Sequence, residues 1–238
     1  GMVTAKTMLI VVDTHSQDFV ESNELIDAVE RIVVIDHHRM MVKRISNALI
    51  FYHEPYASSA SEMVTELVQY LGENTLSRLE AEALLSGIML DTKNFVLKTG
   101  VRTFEAAAYL RRRGADTVEV KRLFSNSIDT YKAKYQLVSS AEIYNNCAIA
   151  TADPTTPDIR IAAAQAGDEL LSIQGVNASF VMFPAGDSIS VSARSLGDVN
   201  VQILMEALGG GGHLTMAGAQ LKGITMQEAR ERLIKVLD

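Results

Sequence analysis

Asp36-His37-His38 follows directly on the apolar run Ile32-Val33-Val34-Ile35, and Asp13-Thr14-His15 follows in the same way on Leu9-Ile10-Val11-Val12. Acids and imidazoles where a strand meets its loop suggest a metal site, since carboxylate oxygens and neutral imidazole nitrogens are both ligands. In an open α/β sheet the loops leaving the carboxyl ends of neighbouring strands converge on one crevice, so the two endings are expected to meet. Each ending alone has a plain alternative, because Asp forms turns and histidines sit exposed on loops. The recurrence of a strand-terminal Asp favours metal. Successive side chains on extended backbone point to opposite sides, so one of His37 and His38 is expected to bind the ion and the other to face a substrate. Asp91 closes an apolar helix at Ile88-Met89-Leu90-Asp91-Thr92. A carboxylate there must be paired, hydrogen-bonded or metal-bound; a helix cap or a salt bridge serves equally well. Carboxylates and imidazole without thiolate favour Mn²⁺ over a structural zinc site, with zinc and iron still open.

Gly209-Gly210-Gly211-Gly212-His213 follows an amphipathic segment carrying Val199, Val201, Ile203, Leu204 and Leu208. One glycine would serve as a helix cap. Four exceed that need, and they suit a loop whose backbone N–H groups closely approach a phosphate or base. His213 is then a phosphate donor or a loop hydrogen-bond partner. Arg194 lies on the Ser190, Ser192 face of a strand pattern whose other face is Ile189, Val191 and Ala193. An exposed arginine there is ordinary, but a planar guanidinium suits bidentate phosphate capture, and the glycine run lies shortly downstream. The helix start at Ser58-Ser59 points donors outward and suits an anion, although capping explains it as well. His15 and His53 show no partner and read as surface or loop-bonding residues.

Around these residues, short β-branched runs alternate with longer helical ones from residue 9 to about 125, which implies a parallel sheet with crossover helices. Strands are predicted at 9–12, 32–35 and 48–52, and helices after Pro55 and over 78–90, 102–113 and 116–125. Ser59 with Glu62 three residues later reads as a capping box. Apolar and aromatic residues from Ile128 through Tyr144 predict a helix bridging two domains. Beyond Cys147 the pattern predicts strands at 148–150, 159–164, 178–183 and 188–193. It also predicts a loop over Ala152–Asp158 with Pro154 and Pro157, and helices at about 198–208 and 226–237.

Composition sets the frame. The 238 residues suit two modest domains, and 47% hydrophobic with 21% charged residues is ordinary for a globular protein. A formal charge of −7 argues against tracking a long nucleic acid, which needs clustered Lys and Arg. The dense basic run Arg111-Arg112-Arg113 precedes Gly114, where cations complement a helix C-terminus. No segment approaches the roughly 18 apolar residues of a membrane span. With no signal peptide and the single Cys147, the expected location is cytoplasmic, without membrane contact from this chain.

The order Val11-Val12-Asp13-Thr14-His15, Ile35-Asp36-His37-His38-Arg39, Gly87 through Asp91-Thr92, then Gly209 through His213 resembles the DHH/DHHA1 phosphoesterase superfamily across essentially the whole chain. The stretches 52–62 and 192–202 look most like the catalytic region of membrane-anchored cyclic-di-AMP phosphodiesterases of the GdpP/YybT type. The resemblance implies an α/β chain. It would comprise a parallel-sheet DHH domain over 1–125, N-terminally truncated, a helical linker over 126–144, and a smaller α/β DHHA1 substrate-binding domain over 145–238. It implies a two-Mn²⁺ hydrolase giving linear pApA. Asp13 would bridge the ions, His37 and Asp91 would bind the second, His38 would contact the scissile phosphate and Asp36 would orient a histidine. Arg194, Gly209, Gly210, Gly211, Gly212 and His213 would bind the nucleotide, and the helix start at Ser59, read from its outward donors, is a further expected substrate contact. The family's upstream His-x-Asp-x-Asp motif has no match in this sequence. At most one ion and slow or absent hydrolysis are therefore expected, with an unpaired sheet edge that a homodimer would cover. A phosphoesterase for pApA or short oligoribonucleotides, and a non-catalytic nucleotide-binding regulatory module, are the alternatives.

Overall fold

A computed structural model of the protein describes residues 3–72, 76–156 and 158–238; Pro157 of the predicted loop lies outside them. The chain folds as two compact units, Gly1–Ser125 and Asn126–Asp238.

The first unit is built on three strands, β1 (Met8–Val12), β2 (Arg31–Asp36) and β3 (Ile50–His53), with helix α1 (Asn23–Ala28) between the first two. They pair in parallel in the order β1-β2-β3, with Val12 level with Ile35 and Asp36 level with His53. The central strand carries an apolar run that is covered on both faces, as its position between two parallel neighbours requires; Ile32 and Val34 are fully buried. On β1, Leu9 and Val11 join the core while Met8, Ile10 and Val12 are exposed. Four helices follow: α2 (Ala60–Val68), α3 (Arg78–Asp91), α4 (Val101–Arg112) and α5 (Thr117–Leu123). Ser77 and Glu80 close a full capping box on α3, which buries Ala81, Leu85 and Ile88 against Ala106, Leu110 and Val120. A Cβ on Gly87 would lie 2.1 Å from Ser61 Oγ, so α3 lies against α2 at a distance that only glycine permits.

The second unit holds α6 (Ile128–Ser139), β4 (Glu142–Tyr144), β5 (Cys147–Thr151), α7 (Ile159–Leu170), β6 (Ala178–Ala185), β7 (Ser188–Ser195), α8 (Val201–Ala207), β8 (Gly211–His213), β9 (Met216–Lys222) and α9 (Met226–Leu237). Its sheet runs β4-β5-β6-β7-β9-β8, parallel only between β5 and β6. One face packs on Val201, Met205, Ala229 and Leu233, the other on Ala133, Leu137, Ala162, Ala166 and Leu170.

Three expectations are corrected here. The helix from Ile128 stops at Ser139. Asn145 and Asn146, at φ 46 and 59, then make the two-residue turn of a β4–β5 hairpin. The predicted strand at 159–164 is the start of α7: Ala162, Ala163, Ala166 and Leu170 are buried at helical spacing, and alanine favours helix over Ile159 and Ile161. The glycine run is not a free loop. It leads into β8, which pairs with a strand absent from the prediction, β9, where Ala217, Ala219 and Leu221 alternate inward.

Candidate metal centre

The carboxyl ends of β1 and β2 and the end of α3 bring Asp13, His37 and Asp91 together. Asp13 leaves β1 in a left-handed conformation, φ 64, which Asp tolerates better than most residues, and its N–H donates to Ile35 O at 3.0 Å. His37 Nε2 lies 3.3 Å from Asp13 Oδ1 and 3.6 Å from Asp91 Oδ2. Ligands about 2.0–2.2 Å from a shared ion stand about 3–3.5 Å apart, so each acid lies near that spacing from His37 Nε2; the group here whose donor atoms all lie within 4.8 Å of one another is Asp13, His37 and His38, without Asp91. The His37 ring is buried and its Nδ1–H donates to Ala57 O at 3.3 Å, which puts the lone pair on Nε2, toward the two acids. Burial, then the nearby Asp13 charge, pushes the Asp91 carboxyl up from its ordinary value. A cation relieves both. The carboxylate and imidazole donors around His37 Nε2 therefore fit a divalent metal in their chemistry.

His37 and His38 do not diverge as strand alternation predicts. The strand ends at Asp36, and the two rings stand 4.5 Å apart, with His38 Nδ1 3.9 Å from Asp13 Oδ1. What separates their roles is hydrogen bonding. Asp36, fully buried, accepts from His38 Nδ1 at 2.7 Å, from His38 N at 3.3 Å and from His15 Nδ1. Burial alone would raise the Asp36 carboxyl, but the bonds from His38 and His15 outweigh it and hold it well below the carboxylate range. The same bond raises His38 against the opposing effect of burial.

His15 and His53, expected on the surface or bonded to loops, are both bonded to loops, and His15 is buried rather than on the surface. His15 is 1% exposed, with Nδ1–H to Asp36 and Nε2 accepting from Met41 N at 2.8 Å. His53 Nε2 donates to His38 O at 2.6 Å. His15, Asp36 and His53 lie close enough to suggest a second ion site, but both nitrogens of His15 are committed, so the group is a support for the His37-His38 turn. The signal was present, since His15 follows β1 as His37 follows β2.

In the second unit the glycines separate. Gly209 sits at φ 79 just past α8 and donates to Glu206 O, as a helix-ending glycine does. A Cβ on Gly210 would lie 2.1 Å from Gly218 O, and one on Gly212 would lie 2.5 Å from Ala217 Cα. Close pairing of β8 on β9 thus accounts for both. Gly211 has open space around its Cβ position and no left-handed φ, so neither chain geometry nor packing explains it. His213 ends β8 and is exposed. Arg194 is not the exposed residue expected: its side chain is 12% exposed, crosses Gly167 of α7, donates from a terminal nitrogen to Ala193 O, and brings Nε to 3.6 Å from Asp168 Oδ1. Ser59, expected to meet an anion, is buried, and its Oγ accepts from Glu62 N at 3.0 Å as the cap of α2.

Comparisons with known proteins agree with this architecture. Residues 2–88 match the model of the DHH family N-terminal domain and residues 145–238 that of the DHHA1 domain. The chain is 48% identical, over 99% of its length, to the cyclic-di-AMP phosphodiesterase PdeA of Listeria monocytogenes, and 50% identical, over 98%, to the cyclic-di-AMP phosphodiesterase GdpP of Geobacillus thermodenitrificans. It spans 36% of the length of each. The crystal structure of an exopolyphosphatase-related protein from Bacteroides fragilis superposes with a TM-score of 0.84 at 23% identity, covering 96% of this chain and 70% of that one. Among the described residues no helix is long and apolar enough to cross a membrane. With both domain models matched in this order, the chain belongs to the DHH family, as a DHH domain followed by a DHHA1 domain.

Proposed function

We propose that this chain is the hydrolytic region of a Mn²⁺-dependent phosphodiesterase that opens cyclic-di-AMP to linear pApA. The observation that carries the reading is that Asp13 and Asp91 both flank His37 Nε2, at 3.3 and 3.6 Å, in a chain half identical to relatives named for that activity. Asp13, His37 and Asp91 would hold the ion, and oxygen and imidazole donors suit Mn²⁺. A divalent ion bound there would acidify a water and neutralise charge on the phosphoryl oxygens. His38, steadied by Asp36, meets a non-bridging oxygen of the scissile phosphate through Nε2. The water oxygen would end on phosphorus and its proton pass to solvent, while the O3′–P bond breaks and the leaving 3′-oxygen takes up a proton from solvent, one water being consumed per bond opened. Gly211 and His213 are assigned to the nucleotide; the space beside Gly211 supports the first of these.

The test assays the chain, and the same chain extended upstream toward its relatives' length, with Mn²⁺ on cyclic-di-AMP, pApA and short oligoribonucleotides. Conversion of the cyclic substrate by the extended protein, abolished by His37→Ala, is expected. Faster turnover of the linear substrates overturns the substrate assignment. Nucleotide binding without turnover of any of them overturns the hydrolytic reading in favour of a regulatory module.

A further inference from the structure

Glu62 is 2% exposed, and a buried polar side chain is tolerated only with hydrogen-bond partners. The nearby Arg102 is committed to Glu66, with a two-pronged bond at 2.8 and 2.7 Å. A capping box would return the Glu62 carboxylate to the N–H of Ser59. Instead it reaches one residue further and accepts from both the N–H and the hydroxyl of Ser58. Glu62 N, in turn, donates to Ser59 Oγ at 3.0 Å. Ala57, Ser58 and Ser59 are each 1% exposed, so the segment is pinned from the α2 side. The carbonyl just before this clamp is Ala57 O, the acceptor of His37 Nδ1–H at 3.3 Å.

We infer that Glu62 is a positioning residue for the metal centre: by gripping Ser58 it fixes the Ala57 carbonyl, which sets the tautomer and orientation of the His37 ring. The inference rests on the reading of His37 as a metal ligand. Without the clamp Ala57 O shifts, the Nδ1–H bond lengthens, and the ring is free to place its proton on Nε2, where it blocks the ion. Support one bond removed from a ligand typically changes metal affinity 10–100-fold.

The experiment uses the 238-residue chain, with Mn²⁺ affinity from calorimetry and the ring tautomer of His37 in the metal-free protein from long-range ¹H–¹⁵N spectra. Glu62→Ala is expected to give a mixed His37 tautomer and Mn²⁺ binding weaker by about 10–100-fold. Glu62→Gln, which keeps an oxygen acceptor for Ser58, is expected to stay within a few fold of wild type. Where Glu62→Ala does not fold, Ser58→Ala removes the hydroxyl half of the clamp, and a partial change in both readouts is expected. A folded Glu62→Ala or Ser58→Ala protein with the wild-type tautomer and affinity overturns the inference, as does a Glu62→Gln protein as impaired as Glu62→Ala. A wild-type chain that takes up no Mn²⁺ overturns the ligand reading itself; the metal-free tautomer then still decides whether Glu62 governs His37.

Discussion

Replacing Asp36 with Ala is expected to be the most damaging single change at the metal centre, through stability before chemistry. The carboxylate is fully buried and serves His15 Nδ1, His38 Nδ1 at 2.7 Å and His38 N at 3.3 Å. His15 cannot adapt by moving its proton, because Nε2 accepts from Met41 N at 2.8 Å and the switched ring would set two N–H groups against each other. Its Nδ1–H is left without an acceptor at a position 1% exposed, which costs about 1–3 kcal/mol. The His38 donors are part-exposed, so water replaces much of their loss. A total of about 2–4 kcal/mol follows, or a fall in Tm of roughly 10 °C for a unit of this size. Asp36→Asn keeps an oxygen for His15 but turns its NH₂ toward His38 Nδ1. It should fall between the two proteins in stability and drive the neutral His38 ring to the Nε2–H tautomer. Urea and thermal unfolding of the three proteins, with ¹⁵N spectra of His38 above its titration, measure both effects. An Asp36→Ala protein within 1 kcal/mol of wild type, or an Asp36→Asn protein with an unswitched His38, refutes the dependence of all three bonds on one carboxylate.

The same bonds set a pH window. Asp36 titrates low when folded, so its contribution is fully present above the unfolded carboxyl value of about 3.9 and is lost as pH falls through the folded one. His38 titrates high, so its contribution is fully present below about 6.5 and is lost as pH rises through its folded value. The stability gap between wild type and Asp36→Asn should therefore be widest between about pH 4 and 6.5, and a gap that keeps growing toward alkaline pH contradicts this. Because Asp91 titrates high without a cation, Mn²⁺ uptake should release more protons at mildly acid pH than at neutral pH; calorimetry in buffers of different ionisation enthalpy would detect a pH-independent release, which refutes it. Gly210→Ala should destabilise the second unit by about 1–3 kcal/mol, since its Cβ meets Gly218 O, whereas Gly211→Ala should melt like wild type and affect only nucleotide affinity. Equal melting temperatures for the two variants refute the division of roles.

The sheet of the first unit was legible because Leu9 to Val12 and Ile32 to Ile35 are short β-branched runs ended by polar residues. Most helices were legible from caps and 3.6-residue spacing. Ile159 to Ala164 was misread because β-branched residues at a helix start mimic a strand over a short window, and the deciding alanines show their period only over the whole of α7. Strand β9 was missed because its inward residues Ala217 and Ala219 are too small to stand out as an alternating pattern until β7 and β8 flank it.

By itself the sequence determined which groups meet at one end of the first unit's sheet. A strand-terminal Asp13 and a strand-terminal Asp36-His37-His38 on parallel neighbours can only emerge at the same edge. Only the tertiary structure decided what each group does there. Which imidazole nitrogen carries a lone pair depends on an acceptor brought from elsewhere in the chain: Ala57 O for His37, Asp36 for His15 and His38. Likewise four identical glycines in sequence become a helix end, two close-packing positions and one open one, because only the pairing of β8 with β9 tells a Cβ what it would meet.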